Sequence, residues 1–210
     1  MDLIFFGMQG AGKGTLGKQL SEKYGFQIFE TGGELRKLSN EDSELGKKVK
    51  SIITAGHLVS NEVVMEIVEN FLDHLTPGVN VLFDGIPRKI EQANSLNALL
   101  EKHERKYKAV LIDIKKETAL KRLTTRRICG KCKSVYPADY QKSTCSACGG
   151  ELTTRADDNS EAIKTRLSAF ENETVPAINL YNEKLIKING ELTIDEVFKL
   201  AIETLDPILK

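Results

Sequence analysis

The run Gly7-Met8-Gln9-Gly10-Ala11-Gly12-Lys13-Gly14-Thr15 follows four apolar residues, Leu3 to Phe6, and opens a helical pattern that extends to about Tyr24. A buried strand, a glycine-rich turn and a helix in that order leave a chain few architectures. Glycines let the backbone fold tightly enough for successive N–H groups and the helix N-terminus to point at one anion. A lysine at this spacing adds a charge to the anion's outer oxygens. Gly14 stands where Ser or Thr usually follows the lysine, and the hydroxyl comes one residue later at Thr15.

Further short apolar runs occur at Gln27 to Phe29, Val79 to Phe83, Ala109 to Ile114 and Leu185 to Ile188. Helical patterns separate them. One stripe carries Val63, Val64, Ile67, Val68 and Phe71; another carries Ala93, Leu96, Leu99 and Leu100. Strands alternating with amphipathic helices predict an α/β fold with a parallel sheet covered on both faces. A chain of 210 residues buries roughly 70% of the surface its unfolded form exposes, room for one core with an inserted subdomain or two. Two segments interrupt the alternation. About thirty residues before Asn61 carry short helical patterns and several glycines, which predicts a small helical insert. Arg127 to Asp158 lacks helical periodicity, and so long a loop needs something to staple it.

All four cysteines fall there. Cys129-Gly130-Lys131-Cys132 and Cys145-Ser146-Ala147-Cys148 are two CxxC knuckles separated by 12 residues, a spacing that suits tetrahedral zinc held by four thiolates. With every position filled by protein, such a zinc is structural. His57, His74 and His103 show no metal or triad spacing and are expected on the surface.

Two other segments carry charge in chemically useful places. Val81 to Arg88 puts Asp84 at the C-terminal end of a strand, where open α/β sheets bind ligands, with Gly85, Pro87 and Arg88 in the turn after it. Asp84 suits Mg2+ held through water, and Arg88 suits bidentate contact with a phosphate. From Lys115 to Lys133 there are eight basic residues against one acidic residue, with Arg122 and Arg126 spaced to share one helix face. A second set follows: Arg155, Asp157, Asp158 and Arg166. Lys plus Arg and Asp plus Glu both number 30, so whole-molecule attraction to nucleic acid or anionic lipid is not expected. The four apolar residues before Gly7 are too few for a signal-peptide core or a spanning helix, which leaves a cytoplasmic location with no membrane partner as the expectation.

Taken in order, these pieces resemble adenylate kinase over essentially the whole chain. The matching residues are Gly10 to Thr15, Thr31-Gly32 with Leu35-Arg36, Gly56 with Leu58-Val59, Asp84-Gly85 with Pro87-Arg88 and Gln92, Arg122 with Arg126-Arg127, and Arg155 with Asp157-Asp158 and Arg166. The resemblance is to the long-lid form, whose lid bears zinc. It implies a P-loop kinase core with a five-stranded parallel sheet (1–29, 60–126 and 159–210), a nucleoside-monophosphate-binding insert (30–59) and a zinc-binding lid (127–158). It also implies a monomer that converts ATP and AMP to two ADP with Mg2+. Carried over by position, Gly10, Ala11, Gly12, Lys13, Gly14, Thr15, Arg122 and Arg126 would hold ATP. Thr31, Arg36, Val59, Gly85, Arg88, Gln92, Arg155 and Arg166 would hold AMP. Lys13, Asp84, Arg88, Arg122, Arg126, Arg155 and Arg166 would carry the catalysis, and Asp157 and Asp158 would position lid arginines.

The chain departs from the family at several points. Gly33-Glu34 follows the Thr-Gly pair where an Asp is usual, and Glu30 replaces a small polar residue. Met8-Gln9 stands where a proline is common, Leu16 replaces a Gln, and the inter-knuckle loop is short. Kinases for UMP, CMP or GMP share the architecture, but Gln92 and the long lid favour AMP. A zinc-ribbon nucleic-acid module is the reading from a different class, and zero net charge with few aromatics near the knuckles argues against it.

Overall fold

The computed structural model describes residues 1–137, 140–155 and 157–210; residues 138, 139 and 156, inside the expected lid, lie outside the described residues. Strand β1 (Asp2–Phe6) runs through the phosphate loop into helix α1 (Lys13–Tyr24), as expected. Next come β2 (Gln27–Glu30), α2 (Thr31–Leu38), α3 (Glu44–Thr54), α4 (Asn61–Asp73), β3 (Val81–Asp84), α5 (Ile90–Lys102), β4 (Tyr107–Asp113) and α6 (Lys116–Thr125). Three short strands follow, β5 (Arg127–Cys129), β6 (Val135–Tyr136) and β7 (Leu152–Thr153). The chain ends with α7 (Ser160–Ala169), a π-helical turn (Phe170–Thr174), α8 (Val175–Asn179), β8 (Leu185–Asn189) and α9 (Ile194–Leu209).

Strands β2, β3, β1, β4 and β8 form one five-stranded sheet in that order, all parallel. The chain leaves β1 toward β3 and β2, then crosses to β4, so the carboxyl end of β1 is the switch point where a crevice opens. The apolar runs are the core: Leu3, Ile4, Phe5 and Phe6 and their neighbours Val81, Leu82, Phe83, Ala109, Val110 and Ile112 are all buried. Each large side chain among them stabilises the fold by about 1.5–3 kcal/mol relative to exposure. Helix α1 lies close on this sheet because Gly17 has no side chain: a Cβ there would meet Leu82 at 3.4 Å. Among the described residues, no helix is long and apolar enough to cross a membrane.

Several expectations shift. The third strand begins at Val81 rather than Val79, because Val79 N–H closes a turn on the Thr76 carbonyl and Asn80 accepts from the terminal ammonium. Asp2 Oδ1 instead takes the Val81 N–H, and the same carboxylate pairs with Arg105 at 2.5 Å, a buried staple that the apolar pattern gave no hint of. On α4 the deepest line is Val64, Val68 and Leu72, with Val63, Ile67 and Phe71 half-buried beside it. The segment without helical periodicity contains the antiparallel sheet β6-β5-β7. His57 and His74 are exposed, as expected, but His103 is half-buried, its Nε2 3.8 Å from Asp73.

Candidate active site

The phosphate loop is open at its mouth and tightly held beneath. Gly10 and Gly12 adopt φ of 86° and 93°, which L side chains rarely reach, and a Cβ on Gly7 would stand 2.7 Å from the Ile112 carbonyl. Gly12, Gly14 and Thr15 are exposed, whereas Ala11 is buried. Lys13 folds back into its own loop: Nζ donates to Gly7 O at 2.7 Å and Met8 O at 3.1 Å. Burial pushes its ammonium down to about 8; nearby Asp84 works the other way, and Arg88, Arg166 and Arg126 press it further down. Gln9 Oε1 is buried in this loop with no hydrogen-bond partner.

Asp84 ends β3 under the loop, its Oδ2 3.8 Å from where a Gly14 Cβ would stand. Burial raises its carboxyl above the usual range despite Lys13. The following turn is built around Arg88. Its N–H donates to Gln92 Oε1 at 2.8 Å, its carbonyl accepts from Thr174 Oγ1 at 3.0 Å, and its Nε donates to Gly85 O at 2.9 Å. Gly85, at φ 87°, leaves room for the guanidinium, since a Cβ there would stand 3.0 Å from Nη2. Gln92 is buried, and its carbonyl oxygen is committed to the Arg88 backbone. A narrow crevice runs between Gly7, Gln9 and Lys13 on one side and Gly85, Pro87 and Arg88 on the other. A larger open cleft of about 640 Å³ lies apart, between α3 and the start of α7. It holds none of the residues expected to act, so chemistry rather than size selects the crevice.

The arginines gather at the same end. Arg122 donates from Nη2 to Gly190 O at 3.0 Å and from Nη1 to Gly10 O at 3.4 Å, joining α6 to the phosphate loop and the turn after β8. Arg126 does not share the helix face of Arg122: α6 ends at Thr125 and Arg126 is extended, although its N–H still reaches the Arg122 carbonyl at 3.0 Å. That turn aims it across the fold at Asp158, a bidentate pair at 2.6 and 2.7 Å. Arg166, on α7, meets the same carboxylate at 3.1 Å and Asp157 at 3.2 Å. Burial lowers the pKa of Arg88, Arg155 and Arg166, and repulsion from neighbouring arginines lowers each further; Arg155 falls to about 10. A half-buried cluster of cations at mutual cost is a site for a polyanion.

The insert contributes from below. Thr31 opens α2, buried, with Oγ1 lacking a hydrogen-bond partner. Arg36 lies one turn on and pairs with Glu30 at 2.8 Å. Val59 is buried in the connection to α4, where Gly56, at φ 82°, lets the backbone approach Ala162 O, 2.6 Å from where a Cβ would stand.

Comparison with known proteins decides the kinship. The adenylate kinase family model matches residues 5–186. The chain belongs to the adenylate kinase family. The adenylate kinase of Archaeoglobus fulgidus is 38% identical over 206 residues, 95% of each chain, and that of Clostridium beijerinckii is 38% identical over 212 residues, 98% of each. The adenylate kinase of Bacillus velezensis is 36% identical over 217 residues and covers each chain completely. The five-stranded parallel sheet flanked by helices is the P-loop α/β fold expected of an adenylate kinase.

The lid-like segment has its own small core. The Sγ atoms of Cys129, Cys132, Cys145 and Cys148 all lie within 4.8 Å of one another, with two pairs at 3.4 Å, and none is in a disulfide. Four thiolates about 2.3 Å from a tetrahedral zinc stand about 3.8 Å apart, so the cluster is compatible with that metal. Lys131 and Cys132 N–H groups already point at Cys129 Sγ, at 3.3 and 3.4 Å. Arg127, the first residue of the expected lid, belongs to this segment: it donates to the Lys142 and Tyr140 carbonyls and faces the Tyr140 ring.

The sequence reading missed three supporting residues and took a fourth, Glu30, only as a departure from the family. Thr174 holds the Arg88 carbonyl, and the Gly190 carbonyl holds Arg122. Glu191 accepts from the Lys115 N–H at 2.6 Å and Thr118 Oγ1 at 2.8 Å, capping α6 from 76 residues away. Glu30 holds Arg36. Thr174 and Glu191 carry no motif, whereas Gly190 left a trace as a glycine after an apolar run.

Proposed function

We propose that the chain transfers a phosphoryl group reversibly from ATP to AMP, giving two ADP, through in-line attack aligned by lysine and arginine. The observation that carries the reading is the half-buried set of Lys13, Arg88, Arg155 and Arg166 gathered at one end of the sheet, each with its charged form disfavoured by desolvation and by like-charged neighbours. Two nucleotide phosphates arriving together would offset that cost. The acceptor's phosphate oxygen is already an anion, so no general base is required and catalysis reduces to alignment and charge stabilisation.

On this reading Gly10, Ala11, Gly12, Lys13, Gly14 and Thr15, with Arg122 and Arg126, hold ATP. Thr31, Arg36, Val59, Gly85, Arg88, Gln92, Arg155 and Arg166 hold AMP, Gln92 in part by fixing the Arg88 backbone. The orphaned Thr31 hydroxyl and Gln9 carbonyl oxygen, one on each side of the site, are the polar atoms that a bound nucleotide would satisfy. Mg2+ accompanying the nucleotide would be held through water by Asp84, whose buried carboxylate favours a cation beside it, and would neutralise phosphate charge. Core (1–29, 60–126 and 159–210), insert (30–59) and lid (127–158) act as three bodies, and the lid closes to exclude water. In the lid the four cysteines hold structural zinc.

A coupled assay with ATP and each monophosphate tests the proposal. AMP should exceed UMP, CMP and GMP as acceptor by at least about tenfold in kcat/KM, the effect of one lost or misplaced hydrogen bond to the base. Comparable rates with another monophosphate would overturn the assignment of the acceptor.

A further inference from the structure

The Glu30–Arg36 ion pair is laid across the first turn of α2 on a platform of two glycines. Arg36 Nη2 donates to Glu30 Oε1 at 2.8 Å. The guanidinium covers Gly32, where a Cβ would stand 3.0 Å from Nη1. The carboxylate covers Gly33, where a Cβ would stand 2.9 Å from Oε2. Neither glycine has positive φ, so the backbone does not require them; a Cβ at either would instead push aside the end of the side chain lying over it. Consecutive glycines in the first turn weaken a helix, and a pair whose side chains are 36% and 47% exposed returns little stability. The arrangement is therefore poor as a stabilising device and suited to fixing a direction.

The surroundings say which direction matters. Glu30 ends β2 with its backbone in register with Asp84. Its charge acts on Asp84, on Arg88 and on Arg155, so it belongs to the electrostatic surroundings of the acceptor turn. Within the pair only Nη2 of Arg36 serves Glu30, and a guanidinium has further N–H groups for an incoming anion.

We infer that Glu30 is a positioning residue that holds the Arg36 guanidinium across Gly32 and Gly33 in the orientation that receives the acceptor's phosphate. The inference rests on the assignment of Arg36 to the acceptor. An unanchored arginine must be ordered at the moment of binding, whereas a pre-oriented one need not be.

Initial-rate kinetics with each nucleotide varied in turn, on five variants checked for folding by circular dichroism, test it. Glu30→Ala should raise the KM for AMP about three- to tenfold, the entropy of one side chain, and leave the KM for ATP unchanged. The turnover number should stay within about twofold, because Glu30 touches no reacting atom. Gly33→Ala should imitate it, because the methyl group displaces the carboxylate. Gly33→Ala added to Glu30→Ala should raise the KM no further and should raise the melting temperature, the methyl then meeting no carboxylate. Glu30→Ala with Gly33→Asp should restore the KM, since an aspartate at 33 places its carboxylate in the same space. An unchanged or lowered KM for AMP in Glu30→Ala, a harmless Gly33→Ala, or failure of the double variant to restore the KM would each overturn the positioning role. Arg36→Ala separates the two levels. If it leaves the KM for AMP unaltered, the acceptor assignment of Arg36 fails and the inference with it; if it raises that KM while Glu30→Ala does not, only the inference fails.

Discussion

Raising the pH should weaken ATP binding through Lys13 before any other group in the site responds. Its ammonium falls from an ordinary 10.5 to about 8, chiefly through burial, with Asp84 opposing and three arginines reinforcing the fall. That difference, at 1.36 kcal/mol per pKa unit, makes the empty loop unfavourable to the charge by roughly 3–4 kcal/mol at most, the part of Lys13 that meets solvent reducing it. Phosphate oxygens supply the missing counter-charge, so the bound form should hold its proton beyond 10.5. Below pH 8 empty and bound forms are both protonated and affinity is flat. Between about pH 8 and 10.5 binding must take up a proton, and affinity should fall toward about tenfold per pH unit. Nucleotide phosphates are already ionised in this range and add no slope of their own. Stability follows the same linkage with the opposite slope: the unfolded chain holds the Lys13 proton longer, so this residue's destabilising effect is complete below pH 8 and disappears as pH rises to 10.5. Titration calorimetry at pH 9 in two buffers of different ionisation enthalpy measures the proton uptake directly. About one proton per ATP is expected, reduced to near zero in Lys13→Met. Zero uptake in the native protein, with tight binding at pH 9.5, would refute the account of the caged lysine.

Arg88→Ala should damage AMP use far more than ATP binding, because Arg88 stands across the crevice from the phosphate loop, on the side assigned to the acceptor; calorimetry with each nucleotide measures it, and equal weakening of both counts against the assignment. Cys145→Ser should lower the melting temperature by several degrees and loosen the metal while leaving low-temperature activity within about tenfold, since a closed four-ligand zinc shapes the lid and does no chemistry. Metal analysis of the purified protein should find one zinc per chain. Asp158→Asn leaves Arg126 and Arg166, side chains only 14% and 11% exposed, facing a neutral amide. Asp157 still serves Arg166, so the cost should be about 2–3 kcal/mol and the melting temperature should fall about 5–10 °C in calorimetry, an unchanged value ruling out a structural role for the network.

How much was readable in advance depends on how far apart the interacting residues lie along the chain. The phosphate loop, the Asp84 to Arg88 turn and the two cysteine knuckles each lie within a few consecutive residues, where φ, donor spacing and ligand reach follow from local geometry, so their chemistry was visible in order and type. The alternation of apolar runs with amphipathic stripes was enough for a parallel sheet, because burial on both faces demands it, and α1 begins and ends as expected because Gly12 and Gly25 stand at its ends in left-handed conformations. What tertiary structure alone decided is non-local. Arg126 reads as a helical neighbour of Arg122, yet the chain turns out of α6 one residue earlier so that it can meet Asp158, 32 positions away. Strands β5 to β7 are two or three residues long and pair only across a loop drawn together around four sulfurs, so no periodicity could announce them. Gln92 looks like a ligand contact and serves first as a backbone acceptor, while Glu30, legible only as a departure from the family, and Glu191, which no motif marks, hold an arginine and a helix start. Period and motif record what neighbouring residues do together, whereas the direction of a long polar side chain depends on which distant carbonyl or carboxylate the finished sheet brings within about 3 Å of it.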